Sequence, residues 1–133
     1  MNDDRNPHTD VPAVQDGSGQ RPIPTAWRPV FCRIVDALVR GDHALKAGVP
    51  GVAEIPDDTA AQIRDYISDY GATLVALPPG TWESSVCIWC GAHWDVLVDL
   101  WTQEEGRSDL VLGARVTETE AGFAFQVQMV YVP

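Results

Sequence analysis

The first hydrophobic pattern in the chain has the period of an α-helix. Between Thr25 and Gly41 the apolar residues recur three or four positions apart, and they are Trp27, Val30, Phe31, Ile34, Val35, Leu38 and Val39. Thr25 is suited to cap the start of a helix, Gly41 is suited to end one, and Pro29 is tolerated in the first turn. The pattern therefore predicts a first helix over this segment.

A second, shorter helix is predicted for PDDTAAQIRDYISDYG, residues 56–71. Asp57 or Asp58 can cap its start, and Gly71 stands where a left-handed glycine ends many helices. Its apolar stripe consists of Ile63, Tyr66, Ile67 and Tyr70. The segment between the two helices, residues 42–55, contains two glycines and a proline and is predicted to be a loop.

After Gly71 the hydrophobic pattern changes to the alternation of β-strands. A short apolar strand in ATLVALPPG precedes four segments, near residues 82–90, 93–102, 108–117 and 122–132. This order predicts an α+β fold, in which two N-terminal helices pack on one face of an antiparallel β-meander of four to five strands. Residues 24–133 are predicted to form this single domain. Residues 1–23 lack apolar periodicity and are predicted to be a disordered acidic tail.

The hairpin around Gly91 and Ala92 sets which side chains share a face. A two-residue loop with glycine first suits a type II′ turn, which pairs Cys87 with Val96. One face then carries the apolar residues expected in the core, Cys87, Trp89, Trp94, Val96, Val98 and Leu100. The opposite face carries Val86, Ile88, Cys90, His93, Asp95, Leu97 and Asp99.

The same alternation extends to the last two strands. Asp109 and Arg115 are predicted on the polar face, while Leu110, Leu112, Ala114 and Val116 point inward. In the final strand the core face is predicted to carry Phe123, Phe125, Val127, Met129 and Tyr131.

Two patterns on the hairpin are candidates for chemistry. Cys87, Cys90 and His93 have a spacing that suits zinc, but residues three apart on a strand point to opposite faces, so no metal site and no cofactor are predicted. Cys90, His93 and Asp95 share a face as a thiol–imidazole–carboxylate set, yet nothing in the sequence supplies an oxyanion hole. No catalytic residue is therefore predicted. The polar face also carries three aspartates, Asp95, Asp99 and Asp109. They could bind a cation, act as an acid–base pair, or simply form a solvent-exposed face of the sheet.

The segment TQEEGRSDL is interpreted as a hairpin loop of four or five residues. Gly106 supplies a positive φ, while Glu104 and Glu105 lie at the tip, where they can contact a basic partner. Arg107 can pair with Glu105 or Asp99. The predicted binding residues are Glu104, Glu105, Arg107, Asp109, Asp95, Asp99 and His93.

The overall charge narrows the class of partner. The chain of 133 residues has a net charge of −10, and its nine basic residues form no cluster. Phosphate backbones and anionic membranes are therefore unsuitable partners. No apolar run approaches the roughly 18 residues of a membrane span, the N-terminus lacks the pattern of a secretory signal, and three cysteines suit a reducing compartment. We expect a cytoplasmic protein.

The stretch from YGATLVALPPGTWESS through DLWTQEEGRSDL to the closing VYVP resembles an uncharacterised family of small bacterial domains. The resemblance covers roughly residues 26 to 133, and its most specific part is a D-L-W-T-x-E-E-G-R-S-D-L loop. It implies a single domain and carries no activity.

Two functions from different classes follow. The first is an immunity- or antitoxin-like module that blocks a basic protein partner with its acidic surface. The second is a small-ligand binder or enzyme of the nuclear-transport-factor-like type, with a pocket between the helices and the sheet. An open cavity with polar groups inside would favour the second, and a filled core the first.

Overall fold

The computed structural model of the chain describes residues 10–133, so the disorder predicted for residues 1–9 lies outside the described residues. The described chain is α+β, with two helices and one six-stranded antiparallel sheet. The helices are α1 (Arg28–Val39) and α2 (Asp57–Tyr70). The strands are β1 (Arg21–Pro22), β2 (Leu74–Val75), β3 (Val86–Trp89), β4 (Trp94–Thr102), β5 (Gly106–Thr119) and β6 (Gly122–Tyr131). Two short 3₁₀ turns cover Thr25–Trp27 and Pro79–Glu83.

The sheet has more strands than the four to five predicted. Strands β3 to β6 form the expected meander, β1 adds to the edge of β3, and β2 pairs with the other end of β4. Strand β2 lies in the short apolar strand that was predicted in ATLVALPPG, whereas β1 is two residues long and shows no alternation by which a strand is recognised in a sequence. The additional strand is therefore β1, which lies in a segment that was predicted to be a tail.

The two helices occupy different positions, which corrects the prediction that both cover one face. Phe31 of α1 packs edge-on against Phe125 on the core face of the sheet, with a ring separation of 5.6 Å. Helix α2 packs chiefly beside β6, and it contributes Ala60 and Ile63 to the core. Neither helix of residues 10–133 has the length and apolar character needed to cross a membrane.

The helix ends differ from the prediction at their starts. Thr25 lies in a 3₁₀ turn before α1, and its hydroxyl accepts the N–H of Val11 at 2.6 Å. Pro56 occupies the position before α2, so neither aspartate caps that helix. The Asp58 carboxylate instead accepts the N–H of Thr59 inside the first turn. Gly71, with φ of +83°, ends α2 as predicted.

The β3–β4 hairpin has the predicted register, with Cys87 opposite Val96 and Trp89 opposite Trp94. Gly91 has a φ of +91°, whereas Ala92 does not have a positive φ, which is the combination of a type II′ turn. The N–H of Cys90 donates to the carbonyl of His93 at 2.8 Å and closes the hairpin. The assignment of the two faces around this turn is therefore confirmed.

Strand β6 departs from simple alternation. Ala114 pairs with Val127 and Gly113 with Met129, so Gln128 is an extra residue, a β-bulge. The extra residue exchanges the faces beyond it, so Val130 is buried in the core and Met129 is 48% exposed. The predicted inward orientation is thus wrong for Met129 and Tyr131, because a one-residue insertion flips every side chain that follows.

Residues 10–23, part of the predicted tail, pack on the sheet. Arg21 and Pro22 pair with β3, and Ile23 is fully buried. The indole N–H of Trp94 donates to the carbonyl of Val14 at 2.9 Å. The residues that the segment contacts lie far along the chain. The segment's own sequence therefore carries no apolar periodicity that would predict this packing. The disorder prediction is corrected over this range.

Replacing Ile23 with alanine should show that this segment belongs to the core. The side chain is completely buried, so its truncation should lower the free energy of unfolding by about 2–5 kcal/mol. Gln20→Ala, in the same segment but exposed, should change it by less than about 0.5 kcal/mol. Urea denaturation followed by tryptophan fluorescence measures both. Equal stabilities of the two variants would contradict the packing of this segment.

Candidate interaction surface

The face of the sheet that points away from α1, called the outer face below, carries a band of apolar side chains. Alternation on β3, β4 and β6 brings together Val86, Ile88, Leu97, Met129 and Tyr131. These side chains line a groove of about 350 Å³. A groove lined by apolar groups on an open sheet face is a typical site for contact with another molecule.

Gly113 shapes the floor of this groove. A Cβ atom at this position would lie 3.3 Å from Cγ of Met129, which is closer than side chains normally pack. The absence of a side chain therefore lets Met129 lie across β5. The bulge in β6 and Gly113 act together, since the bulge turns Met129 outward and the glycine leaves space for it.

The apolar band continues into a cleft between α2 and β6. This cleft has a volume of about 360 Å³, and its walls include Tyr66, Met129 and Tyr131. The Tyr66 hydroxyl accepts the N–H of Val132 at 3.2 Å, which ties the end of β6 to α2. Asp65 and Asp69 also line the cleft, so this end of the band is acidic.

The other end of the band is a cluster of three different polar groups at the β3–β4 turn. The Cys90 Sγ donates to Asp95 Oδ2 at 3.3 Å, and His93 Nε2 lies 3.1 Å from Asp95 Oδ1. All three ligand-type atoms lie within 4.8 Å of one another. The Asp95 side chain is 54% exposed, and it faces Arg115 across the β4–β5 pair.

The order of these groups does not suit nucleophilic catalysis. The carboxylate, not the imidazole, accepts the thiol hydrogen bond. Desolvation, followed by the hydrogen bond to Asp95 and its charge, raises the pKa of the Cys90 thiol. A catalytic cysteine needs a neighbouring base or cation that lowers its pKa. The arrangement therefore keeps Cys90 protonated.

Cys87 takes no part in this cluster. It is buried on the core face, whereas Cys90 is exposed on the outer face, as the strand alternation predicted. Burial raises the pKa of the Cys87 thiol to about 11. The zinc spacing formed by the two cysteines and His93 therefore does not describe one site.

Asp99 lies on the same face, four residues further along β4, but it stabilises the fold. Its N–H donates to the Ser85 Oγ at 2.9 Å, and its carbonyl accepts the Thr81 hydroxyl at 2.7 Å. The Ser84 hydroxyl donates to its carboxylate. Three hydroxyl groups thus satisfy Asp99 in the gap between β3 and β2, where the edge of β4 opposite to β5 has no strand partner.

The loop between β4 and β5 is shorter than predicted, with three residues between the paired Thr102 and Gly106. Gly106 has the expected positive φ, +75°. Glu104 accepts the N–H of Thr73 at 2.8 Å and its hydroxyl at 2.9 Å. These bonds, chiefly the one from the backbone N–H, lower the pKa of Glu104. The loop is therefore fastened to the segment that follows α2.

Glu105 provides a second fastening. Its carboxylate accepts the Tyr70 hydroxyl at 2.8 Å and the Thr102 hydroxyl at 3.1 Å. The Tyr70 oxygen in turn accepts the N–H of Asp109 at 3.2 Å. Both loop glutamates are exposed to solvent, and both hold the hairpin against the end of α2 and the segment after it.

The predicted binding residues thus fall into two groups at opposite ends of β4. His93 and Asp95 meet at the hairpin turn, while Arg107 and Asp109 lie exposed beside the loop. Within residues 10–133 Arg107 forms neither of the predicted ion pairs, with Glu105 or with Asp99. The sequence placed part of the apolar band on the outer face correctly. The contribution of Met129 depends on the bulge, which has no signal in the alternation.

The space between α1 and the sheet is occupied by aromatic rings. Trp27 lies edge-on to Trp94 at 5.2 Å, to Phe123 at 5.3 Å and to Phe125 at 6.1 Å. Trp27 and Trp94 are almost completely buried. This part of the core is filled, at the place where a pocket between the helices and the sheet was expected.

Comparison with known proteins gives one family. A family model described as a domain of unknown function, DUF7668, matches residues 35–133. The match includes β2 to β6 and the loop with its two glutamates. No curated protein and no solved structure matches the chain.

Two adjacent serines test the role of hydroxyl groups beside Asp99. Ser85→Ala leaves the part-buried N–H of Asp99 without its acceptor and should lower the free energy of unfolding by about 1–3 kcal/mol. Ser84→Ala should cost less, because the half-buried Asp99 carboxylate that it releases still reaches water. Chemical denaturation of the two variants measures the difference. A larger loss in Ser84→Ala would contradict this assignment.

The hairpin loop is tested at Gly106. Valine is strained at a φ of +75°, so Gly106→Val should lower the free energy of unfolding by about 1–3 kcal/mol. Gly106→Asn should lose less, since asparagine adopts left-handed conformations more readily. Thermal unfolding by calorimetry ranks the variants. Equal stability of the valine and asparagine variants would show that the loop does not require this conformation.

Proposed function

Because the chain belongs to the DUF7668 family of domains of unknown function, we propose its role from the outer face, as a protein-binding module that engages a basic partner. The observation that carries the proposal is the apolar band, which neither helix covers and which ends in carboxylates on both sides. Asp95 lies at one end, and Asp65 and Asp69 lie at the other. Such a surface suits a partner segment with apolar side chains between lysines or arginines.

The charge of the chain supports this class of partner. A net charge of −10 attracts a basic protein over distance and raises the rate of encounter, while the apolar groove retains the partner after contact. An immunity- or antitoxin-like protein that blocks a basic partner in the bacterial cytoplasm combines these properties. The three free cysteines suit that reducing compartment.

The predicted binding residues take different parts in this proposal. His93 and Asp95 contact the partner at one end of the band, and Arg107 and Asp109 extend the contact beside the loop. Three further acidic residues hold the strands and the loop that shape the surface, and they are Asp99, Glu104 and Glu105. The aromatic core favours this binding module over the alternative of a ligand pocket between the helices and the sheet.

A designed peptide of alternating lysine and leucine residues provides a defined probe. We expect it to bind ¹⁵N-labelled protein and to shift the amide signals of residues 86–88, 97, 113–114 and 129–131. Met129→Lys should weaken binding at least about fivefold, as expected for loss of an apolar anchor worth about 1 kcal/mol. Asp69→Asn should slow association and reduce its salt dependence.

Two controls separate this surface from general attraction to an acidic protein. Val39 on α1 is 44% exposed, close to the 48% of Met129, so Val39→Lys adds the same charge outside the band and should bind normally. A glutamate–leucine peptide of the same pattern should not bind. Shifts confined to other surfaces, or equal weakening by the two lysine variants, would overturn the proposal.

A further inference from the structure

The turn between β3 and β4 gathers a thiol, an imidazole and a carboxylate on one exposed side of the sheet. We propose that Cys90, His93 and Asp95 form a binding site for a divalent transition-metal ion of the zinc type. The proposal rests on the geometry of this cluster and is independent of the proposed function. It differs from the zinc spacing in the sequence because Asp95 takes the place of Cys87, which is buried on the core face.

The separations of the thiol and the imidazole from the carboxylate are close to those between ligands around a tetrahedral ion. Zinc bonds of about 2.0–2.3 Å place neighbouring ligand atoms roughly 3.3–3.6 Å apart. The Cys90 sulfur lies 3.3 Å from Asp95 Oδ2, and His93 Nε2 lies 3.1 Å from the other carboxylate oxygen, Asp95 Oδ1. The sulfur and the imidazole nitrogen lie within 4.8 Å of each other, so these two must approach by a side-chain rotation.

The backbone holds the donors in this arrangement. The hydrogen bond from Cys90 N–H to the His93 carbonyl, at 2.8 Å, fixes the turn between two of them. His93 directly precedes β4 and Asp95 is the second residue of that strand, so their side chains lie on the same side and meet on the outer face. The thiol and the carboxylate are both exposed, so an ion can reach the site from solvent.

The donor set indicates which ions fit. Thiolate and imidazole favour zinc, cobalt and similar ions, whereas magnesium and calcium prefer oxygen ligands alone. Three protein donors leave a coordination position for water or for a group on another molecule. The site is therefore an open one.

The charges also balance when an ion binds. The thiol loses its proton to solvent as the metal–sulfur bond forms, and the imidazole binds the ion through an unprotonated ring nitrogen. A divalent ion then faces one thiolate and one carboxylate, so the site becomes neutral. The net charge of the site therefore rises by one when the ion binds, and Arg115, opposite Asp95 in the strand register, faces a neutral site and not a cationic one.

Cobalt(II) is the probe for the test, on tag-free full-length protein in a reduced, chelator-treated state. We expect one ion to bind per chain, with the near-ultraviolet charge-transfer band of a cobalt–thiolate bond, and stoichiometric zinc should remove that band. Cys90→Ser should abolish it. His93→Gln and Asp95→Asn should weaken cobalt binding at least about tenfold, since even supporting groups around a metal contribute that much.

Matched variants elsewhere in the chain provide the controls. Cys32→Ser and His43→Gln change the same residue types outside the cluster, and both should keep the band and the affinity. In wild-type protein, zinc should also shift the imidazole signals of His93 but not those of His43. This measurement does not depend on whether a variant folds. Absence of the band in wild type, its survival in Cys90→Ser, or zinc shifts confined to His43 would each overturn the proposal.

Discussion

Strand β4 needs hydrogen-bond partners along both of its edges, and the rest of the structure meets that requirement. Strand β5 pairs with one edge, whereas β3, two hydroxyl groups and β2 divide the other between them. Buried backbone groups without partners are costly, so the gap at Asp99 has to be filled. Thr81 and Ser85 fill it from the 3₁₀ turn and the residues after it. The 3₁₀ turn and the residues after it therefore supply the hydrogen bonds that a neighbouring strand would otherwise make with β4.

The alternation of β4 gives its two faces separate roles. One face packs Trp94, Val96 and Val98 into the core with the aromatic rings of α1 and β6. The other face carries Asp95 and Leu97 at the polar cluster and the apolar band. Because the core face is rigidly packed, the groups on the outer face are held in fixed relative positions. This is the property that a binding surface and a metal site both need.

Local signals in the sequence predicted much of this arrangement. The type II′ turn fixed the register of β3 and β4, and with it the shared face of Cys90, His93 and Asp95. What the sequence could not predict depends on distant partners. Strand β1 exists because β3 offers an open edge, and the outward direction of Met129 depends on a bulge opposite Gly113. The roles of Glu104 and Glu105 likewise follow from contacts with α2 and the segment after it.

The position of β1 has a consequence for how the chain folds during synthesis. A ribosome releases β1 early, yet its partner is distant, since 65 residues separate Pro22 from Cys87. The β3–β4 hairpin must form before β1 has an edge to join. Closing this long loop costs entropy that local contacts do not repay, so docking of the N-terminal segment is a late step. Until then the apolar side chain of Ile23 stays in water, where chaperones and other chains can reach it.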